Sequence, residues 1–158
     1  MKIFILGAPA SGKTTIAAQI REVSDVKAID VDDEIIALNN DVWPDIETKN
    51  NILLPRVIDE ATKADNVILF NSYMPVKELE KLRDAGFKIV LLEVSEKELK
   101  RRHIERQTVT EGWRNEEWFD WHQTIIKELH NKGYIDDVMS GEQTTQEIVR
   151  LILSSESH

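Results

Sequence analysis

No cysteine occurs in the 158 residues, so the chain can build neither a disulfide framework nor a thiolate metal site, and a reducing compartment such as the cytoplasm suits it. Long hydrophobic runs are missing too. The N-terminal apolar stretch Ile3 to Leu6 stops at Gly7, too short for the core of a signal peptide or for a bilayer span, so export and membrane insertion are not expected. Cations are scarce: 20 Lys and Arg stand against 29 Asp and Glu, a net charge of −9. Such a field repels long polyanions, nucleic acids included, unless basic groups gather locally. One gathering exists, with Lys97, Lys100, Arg101, Arg102 and Arg106 inside ten residues. Repeats, low-complexity tracts and linkers are absent. Apolar residues at 41% and charged residues at 31% describe a globular chain, expected to form one domain over 1–158 as a monomer or small homo-oligomer.

The apolar pattern alternates between strand and helix. Lys2 to Leu6 runs continuously apolar into a glycine turn, as a buried strand does, and Ile16, Ala17, Ile20 and Val23 then recur at helical spacing up to Ser24. Val26 to Ile29, Val67 to Phe70, Lys88 to Val94 and Tyr134 to Met139 read as further strands. Helices are expected from about Glu34 to Asn39, from Asp45 with a break at Pro55, from Pro75 to Gly86, from Ser95 to Gln107, from Glu116 to Asn131 and from Thr145 to Leu153. This order predicts a three-layer α/β fold, a five-stranded parallel sheet with helices on both faces and ligands beyond the carboxyl ends of the strands.

One motif stands at such an end. Gly7-Ala8-Pro9-Ala10-Ser11-Gly12-Lys13-Thr14 has the spacing of a phosphate-binding P-loop between a strand and a helix. Phosphate oxygens need several convergent amides, which a loop supplies only if its backbone turns tightly, and Gly7 and Gly12 permit that turn. Lys13 is expected to reach the β- and γ-phosphates, with Thr14 offering its hydroxyl to Mg²⁺ and Ala10, Ser11 and Thr15 completing the cradle. The N-terminal third resembles the P-loop kinase group that includes shikimate, gluconate and adenylate kinases. The resemblance implies a P-loop NTPase fold with a small lid near 107–116, ATP and Mg²⁺ as cofactors, and phosphoryl transfer to a small-molecule or nucleotide acceptor.

Two further segments carry the resemblance. Asp30-Val31-Asp32 is similar to the Asp-x-Asp of shikimate kinases, which implies Asp30 as the metal-side acid and Asp32 as acceptor contact and catalytic base. The plainer alternative is that Asp32 or Asp33 caps the next helix. Shikimate kinases carry a glycine triplet after the third strand, whereas this chain has Asn71-Ser72-Tyr73. Arg102 and Arg106, four residues apart on one helix face, are similar to the arginines of adenylate-kinase-like proteins. That likeness implies Arg102 against the adenine and Arg106 on phosphate, with Arg101 and Arg114 as weaker candidates.

Gly112 is a candidate hinge. Trp113, Trp118, Phe119 and Trp121 crowd the same stretch and are expected to pack the lid rather than hold a ring-shaped acceptor. His103, His122 and His130 lack a metal pattern and are expected at the surface. Two competing functions can be weighed. A guanine-nucleotide switch would read Thr62-Lys63-Ala64-Asp65, but that tetrapeptide precedes a strand instead of following one, and no Asp is followed by Gly three residues on. A 5′-hydroxyl nucleic acid kinase is disfavoured by the negative charge.

Overall fold

The computed structural model describes residues 1–107 and 116–155. Strands β1 (Lys2–Gly7), β2 (Lys27–Asp30), β3 (Val67–Asn71), β4 (Lys88–Glu93) and β5 (Asp137–Ser140) form one sheet in the order β2-β3-β1-β4-β5. All four pairings are parallel, with Phe4 in register with both Leu69 and Ile89. Successive side chains of a strand point to opposite faces, so Phe4, Leu6, Leu69 and Leu91 join one core while Ile3, Ile5, Phe70 and Leu92 join the other. Two covered faces explain why the strands read as unbroken apolar runs.

Helices α1 (Lys13–Val23) and α8 (Thr145–Ser154) pack on the second core. Helices α2 (Val31–Leu38), α4 (Leu54–Thr62), α5 (Val76–Asp84) and α7 (Glu116–Asn131) pack on the first. A third, smaller cluster lies at the carboxyl end of the sheet, where Ala8 and Ala10 meet Val94, Leu99 and Phe119. It fastens the P-loop to α6 (Glu96–Gln107) and to α7.

Three local departures from the sequence pattern have clear causes. Helix α2 starts at Val31, not near Glu34, because the Asp30 carboxylate caps it, accepting from the amides of Asp32 (3.0 Å) and Asp33 (3.4 Å). The break expected at Pro55 is made upstream: α3 (Ile46–Thr48) widens into a π-helical stretch, Lys49–Leu53. Pro55 then falls at the second position of α4, where its missing amide costs little. Strand β5 is shorter than expected, because Tyr134 and Ile135 pack on the core beside α7 before pairing begins.

Candidate active site

The P-loop turns through two left-handed residues, Ala10 at φ 69° and Gly12 at φ 102°. For Ala10 this conformation is strained, and such strain gathers at ligand-binding loops. Space is as tight as the backbone: a Cβ on Gly7 would lie 2.7 Å from Ser11 Oγ and 3.3 Å from Leu92. The N-terminus of α1 has neither a side-chain cap nor an acid in its first turn. Helices α2, α3 and α8 are each capped by a side chain, those of Asp30, Asp45 and Thr144. An uncapped helix N-terminus of this kind favours an anion placed against it. Lys13 lies across the loop, its Nζ donating to the carbonyl oxygens of Gly7 (2.6 Å) and Ala8 (2.8 Å).

Beside the loop a cavity of about 230 Å³ is lined by Gly12, Lys13, Thr14, Asp30, Asp32 and Asn71, among others. Asp32 Oδ1 is buried there without a hydrogen-bond partner. Burial pushes the Asp32 carboxyl up from its usual range, against the opposing charges of Lys49 and Lys13. Asp30 lines the same wall, with one carboxylate oxygen engaged in the α2 cap.

On the other side of the P-loop a larger cleft of about 660 Å³ runs over Ser11, Gly12 and Thr15 between Arg102, Gly141 and Thr145. Arg102 spans it, donating to Ala10 O and to Gly141 O, both at 3.1 Å, with its Nε on Glu98. Hydrogen bonds from Arg101, then from Arg102, hold the Glu98 carboxyl down at about 2, so it stays charged and keeps Arg102 in place. Arg101 is exposed and bound to Glu98 and Glu105. Gly141 was not singled out from sequence. A Cβ there would meet Val94 Cγ2 at 2.5 Å and Ser11 O at 3.2 Å, so the loop after β5 sits directly on the P-loop.

The structure corrects one expectation outright: His122 is not a surface residue. It is 1% exposed, because α7 turns it inward onto the loop after β3, where Nε2 lies 2.6 Å from Ser72 O. His130 is exposed, as expected. Phe119 is buried in the small third cluster, while Trp121 remains half exposed against Tyr73, ring centroids 5.6 Å apart. The Arg106, His103 and Trp118 side chains, and residues 108–115, where a lid was expected and which include Gly112, Trp113 and Arg114, lie outside the described residues. The guanine-like tetrapeptide is at the wrong end of the sheet, where Lys2 Nζ donates to Thr62 O and the Met1 amine to Asp65 O.

The sequence profile of the AAA domain matches residues 3–124. The chain belongs to that family. No curated protein matches it in sequence. Among solved structures, shikimate kinase from Aquifex aeolicus vf5 superposes with a TM-score of 0.68 at 19% identity, covering 99% of this chain and 96% of that one. A gluconokinase from Sinorhizobium meliloti 1021 gives 0.65 at 22% identity over 97% and 89%. An unliganded sugar kinase from Janibacter sp. HTCC2649 gives 0.67 at 16% identity over 99% and 94%. This AAA-domain chain therefore has the three-layer fold of P-loop small-molecule kinases. No helix among the described residues is long and apolar enough to cross a membrane.

Proposed function

We propose that the chain is an ATP-dependent kinase that moves the γ-phosphoryl group to a hydroxyl of a small molecule, nucleosides and nucleotides included, with residues 1–158 acting as one domain. The observation that carries this reading is the single cavity in which Lys13 and Thr14 face Asp30 and Asp32, with a buried Asp32 oxygen lacking a partner. A carboxylate so placed can orient an attacking hydroxyl and take its proton, as an acceptor of the γ-phosphoryl group requires.

ATP would lie with its phosphates on the uncapped end of α1 and its base in the cleft beside Arg102 and Gly141. Lys13 would exchange its two backbone carbonyls for phosphate oxygens, a gain in hydrogen-bond strength because both partners are then charged. The donor set suits Mg²⁺: the Thr14 hydroxyl and the Asp30 carboxylate are hard oxygens, and among the described residues no cluster of His, Asp and Glu offers a rival cage. When bound, the ion neutralises charge on the transferring phosphate. Asp32 orients the acceptor hydroxyl and takes its proton as the new oxygen–phosphorus bond forms. The bond from the γ-phosphorus to the bridging oxygen breaks, and ADP leaves. Burial, by raising the affinity of Asp32 for a proton, makes it the better base. Arg106 is placed by its backbone on α6, and we assign it to the transferring phosphate.

The test is ADP formation with a panel of nucleosides, nucleoside monophosphates and hydroxylated metabolites. The reading predicts release that requires one of them. Steady hydrolysis at the same rate without any acceptor would count against it.

A further inference from the structure

The register of the sheet sets Asn71 between the P-loop and the acids of α2. It is the last residue of β3, level with Leu6 on β1, one step before Gly7, while β2 on the other side ends with Asp30 level with Phe70. Side chains alternate along a strand, so Asn71 shares the face of Leu69, where α2 packs. There it lines the same cavity as Lys13, Asp30 and Asp32. It is 6% exposed, and an amide at such depth ordinarily spends both of its ends on hydrogen bonds.

In Asn71 only one end is spent. The Ser72 amide donates to Asn71 Oδ1 at 2.8 Å. A backbone N–H only donates, so the atom it meets is the oxygen, and the orientation of the side chain is fixed. Among the described residues Nδ2 has no hydrogen-bond partner. The anchor is itself held, because the Ser72 carbonyl accepts from His122 Nε2 (2.6 Å) and the Tyr73 ring packs on Trp121. With Oδ1 turned to the Ser72 amide, the end left to the cavity is a donor, which binds oxygen and not a metal ion. Asp32 Oδ1, buried on the same lining without a partner, offers an acceptor. Forming the turn does not by itself account for Asn71, since an aspartate would accept from Ser72 equally well.

A free donor and a free acceptor in one cavity suit a group that can both give and take a hydrogen bond. An alcohol does both, whereas a fully ionised phosphate only accepts and an ammonium only donates. The two carboxylates add repulsion against a second phosphate. We infer that Asn71 is an acceptor-binding residue whose Nδ2 donates to an uncharged oxygen at the reacting end of the acceptor, next to the hydroxyl directed at Asp32. The assignment rests on the kinase reading of this cavity and narrows it. The phosphoryl group passes to an alcohol flanked by further neutral oxygen, as in a polyol or a ribose, and not to a phosphate. At about 230 Å³ the cavity is smaller than the roughly 300 Å³ or more of pockets that enclose a whole ligand, so only that end of the molecule enters.

Glucitol, myo-inositol and adenosine are the probes, all neutral, so that a changed charge in the protein does not by itself repel them. Each is titrated calorimetrically into protein already saturated with ADP and Mg²⁺, in wild type, Asn71→Asp and Asn71→Ala. Asn71→Asp keeps an oxygen for the Ser72 amide and turns the donor into an acceptor, whereas Asn71→Ala removes both ends. The expected result is that at least one probe binds wild type and that both substitutions weaken it about tenfold or more. If Asn71→Ala does not fold, Asn71→Asp decides. Combining Asp32→Asn with Asn71→Asp makes donor and acceptor trade places, which should regain most of the affinity lost in Asn71→Asp without regaining turnover. Failure of all the probes to bind wild type, wild-type affinity in Asn71→Asp, or a double variant no better than Asn71→Asp overturns the assignment. Transfer assays on the same probes separate the two claims. Asn71-dependent binding with no transfer to any acceptor sinks the kinase reading alone, whereas transfer to a probe whose KM ignores both substitutions sinks the Asn71 assignment alone.

Discussion

His122 Nε2 lies 2.6 Å from the carbonyl oxygen of Ser72, a bond that fastens α7 to the loop after β3 and so to one wall of the Asp32 cavity. A carbonyl only accepts, so Nε2 carries the hydrogen. Burial, and secondarily the Lys13 charge, hold the ring down to a pKa of about 4 against the opposing pull of the Ser72 carbonyl.

The unfolded chain binds a proton at His122 near pH 6.5, the folded chain only near 4. Folding is therefore favoured fully above the higher value and loses support as pH falls through the window, by about 3 kcal/mol in total. Urea midpoints measured from pH 7 to pH 4 should fall, and His122→Gln, which keeps a donor for Ser72 O, should flatten that part of the curve. An unchanged slope in the variant would show that other groups dominate.

Gly141→Ala tests the contact between the loop after β5 and the P-loop. The new methyl would meet Val94 Cγ2 at 2.5 Å, and crowding of this kind costs about 1 to 3 kcal/mol. Because Ser11 O is also within 3.2 Å, the shift should reach the cradle. Both the thermal midpoint and the affinity for ADP should drop, as read by scanning fluorimetry with and without the nucleotide.

Arg102→Ala removes the bridge between Ala10 O and Gly141 O. Two charge-assisted hydrogen bonds are lost from the mouth of the cleft, so nucleotide affinity should weaken about tenfold or more. Acceptor affinity at the Asp32 cavity should be unaffected. Equilibrium titrations with each ligand separate these effects.

Much of this architecture was legible in the residues. The unbroken apolar runs from Ile3 and from Ile89 could belong only to strands covered on both faces, and the P-loop spacing fixed the end of the sheet where ligands gather. His122 was not legible, because a lone histidine on a helix gives no sign of which way its face turns until the partner loop is known. Gly141 was hidden for a related reason: its constraint comes from Ser11 and Val94, distant in sequence. Asp30 as a cap was missed because three acids in four positions at a helix start are interchangeable by composition, and only backbone geometry selects the one that turns back on the amides.

Asp32→Asn keeps the size of the side chain and removes the base. Turnover should fall about 10²-fold or more, with the KM for ATP little changed. In wild type, kcat should rise with pH through a pKa above the ordinary aspartate value, since burial raises it and activity needs the charged form. That limb should be missing from the residual activity of the variant. Steady-state pH profiles of the two proteins decide it.

The central claim is that amides at the tip of β1, with the Lys13 ammonium, grip a triphosphate. Calorimetric titration of a non-hydrolysable Mg-ATP analogue into wild type and Lys13→Ala tests it most directly. Saturable one-to-one binding that Lys13→Ala weakens at least tenfold is the predicted result. No heat of binding in wild type, or an affinity that the substitution leaves unchanged, would contradict it.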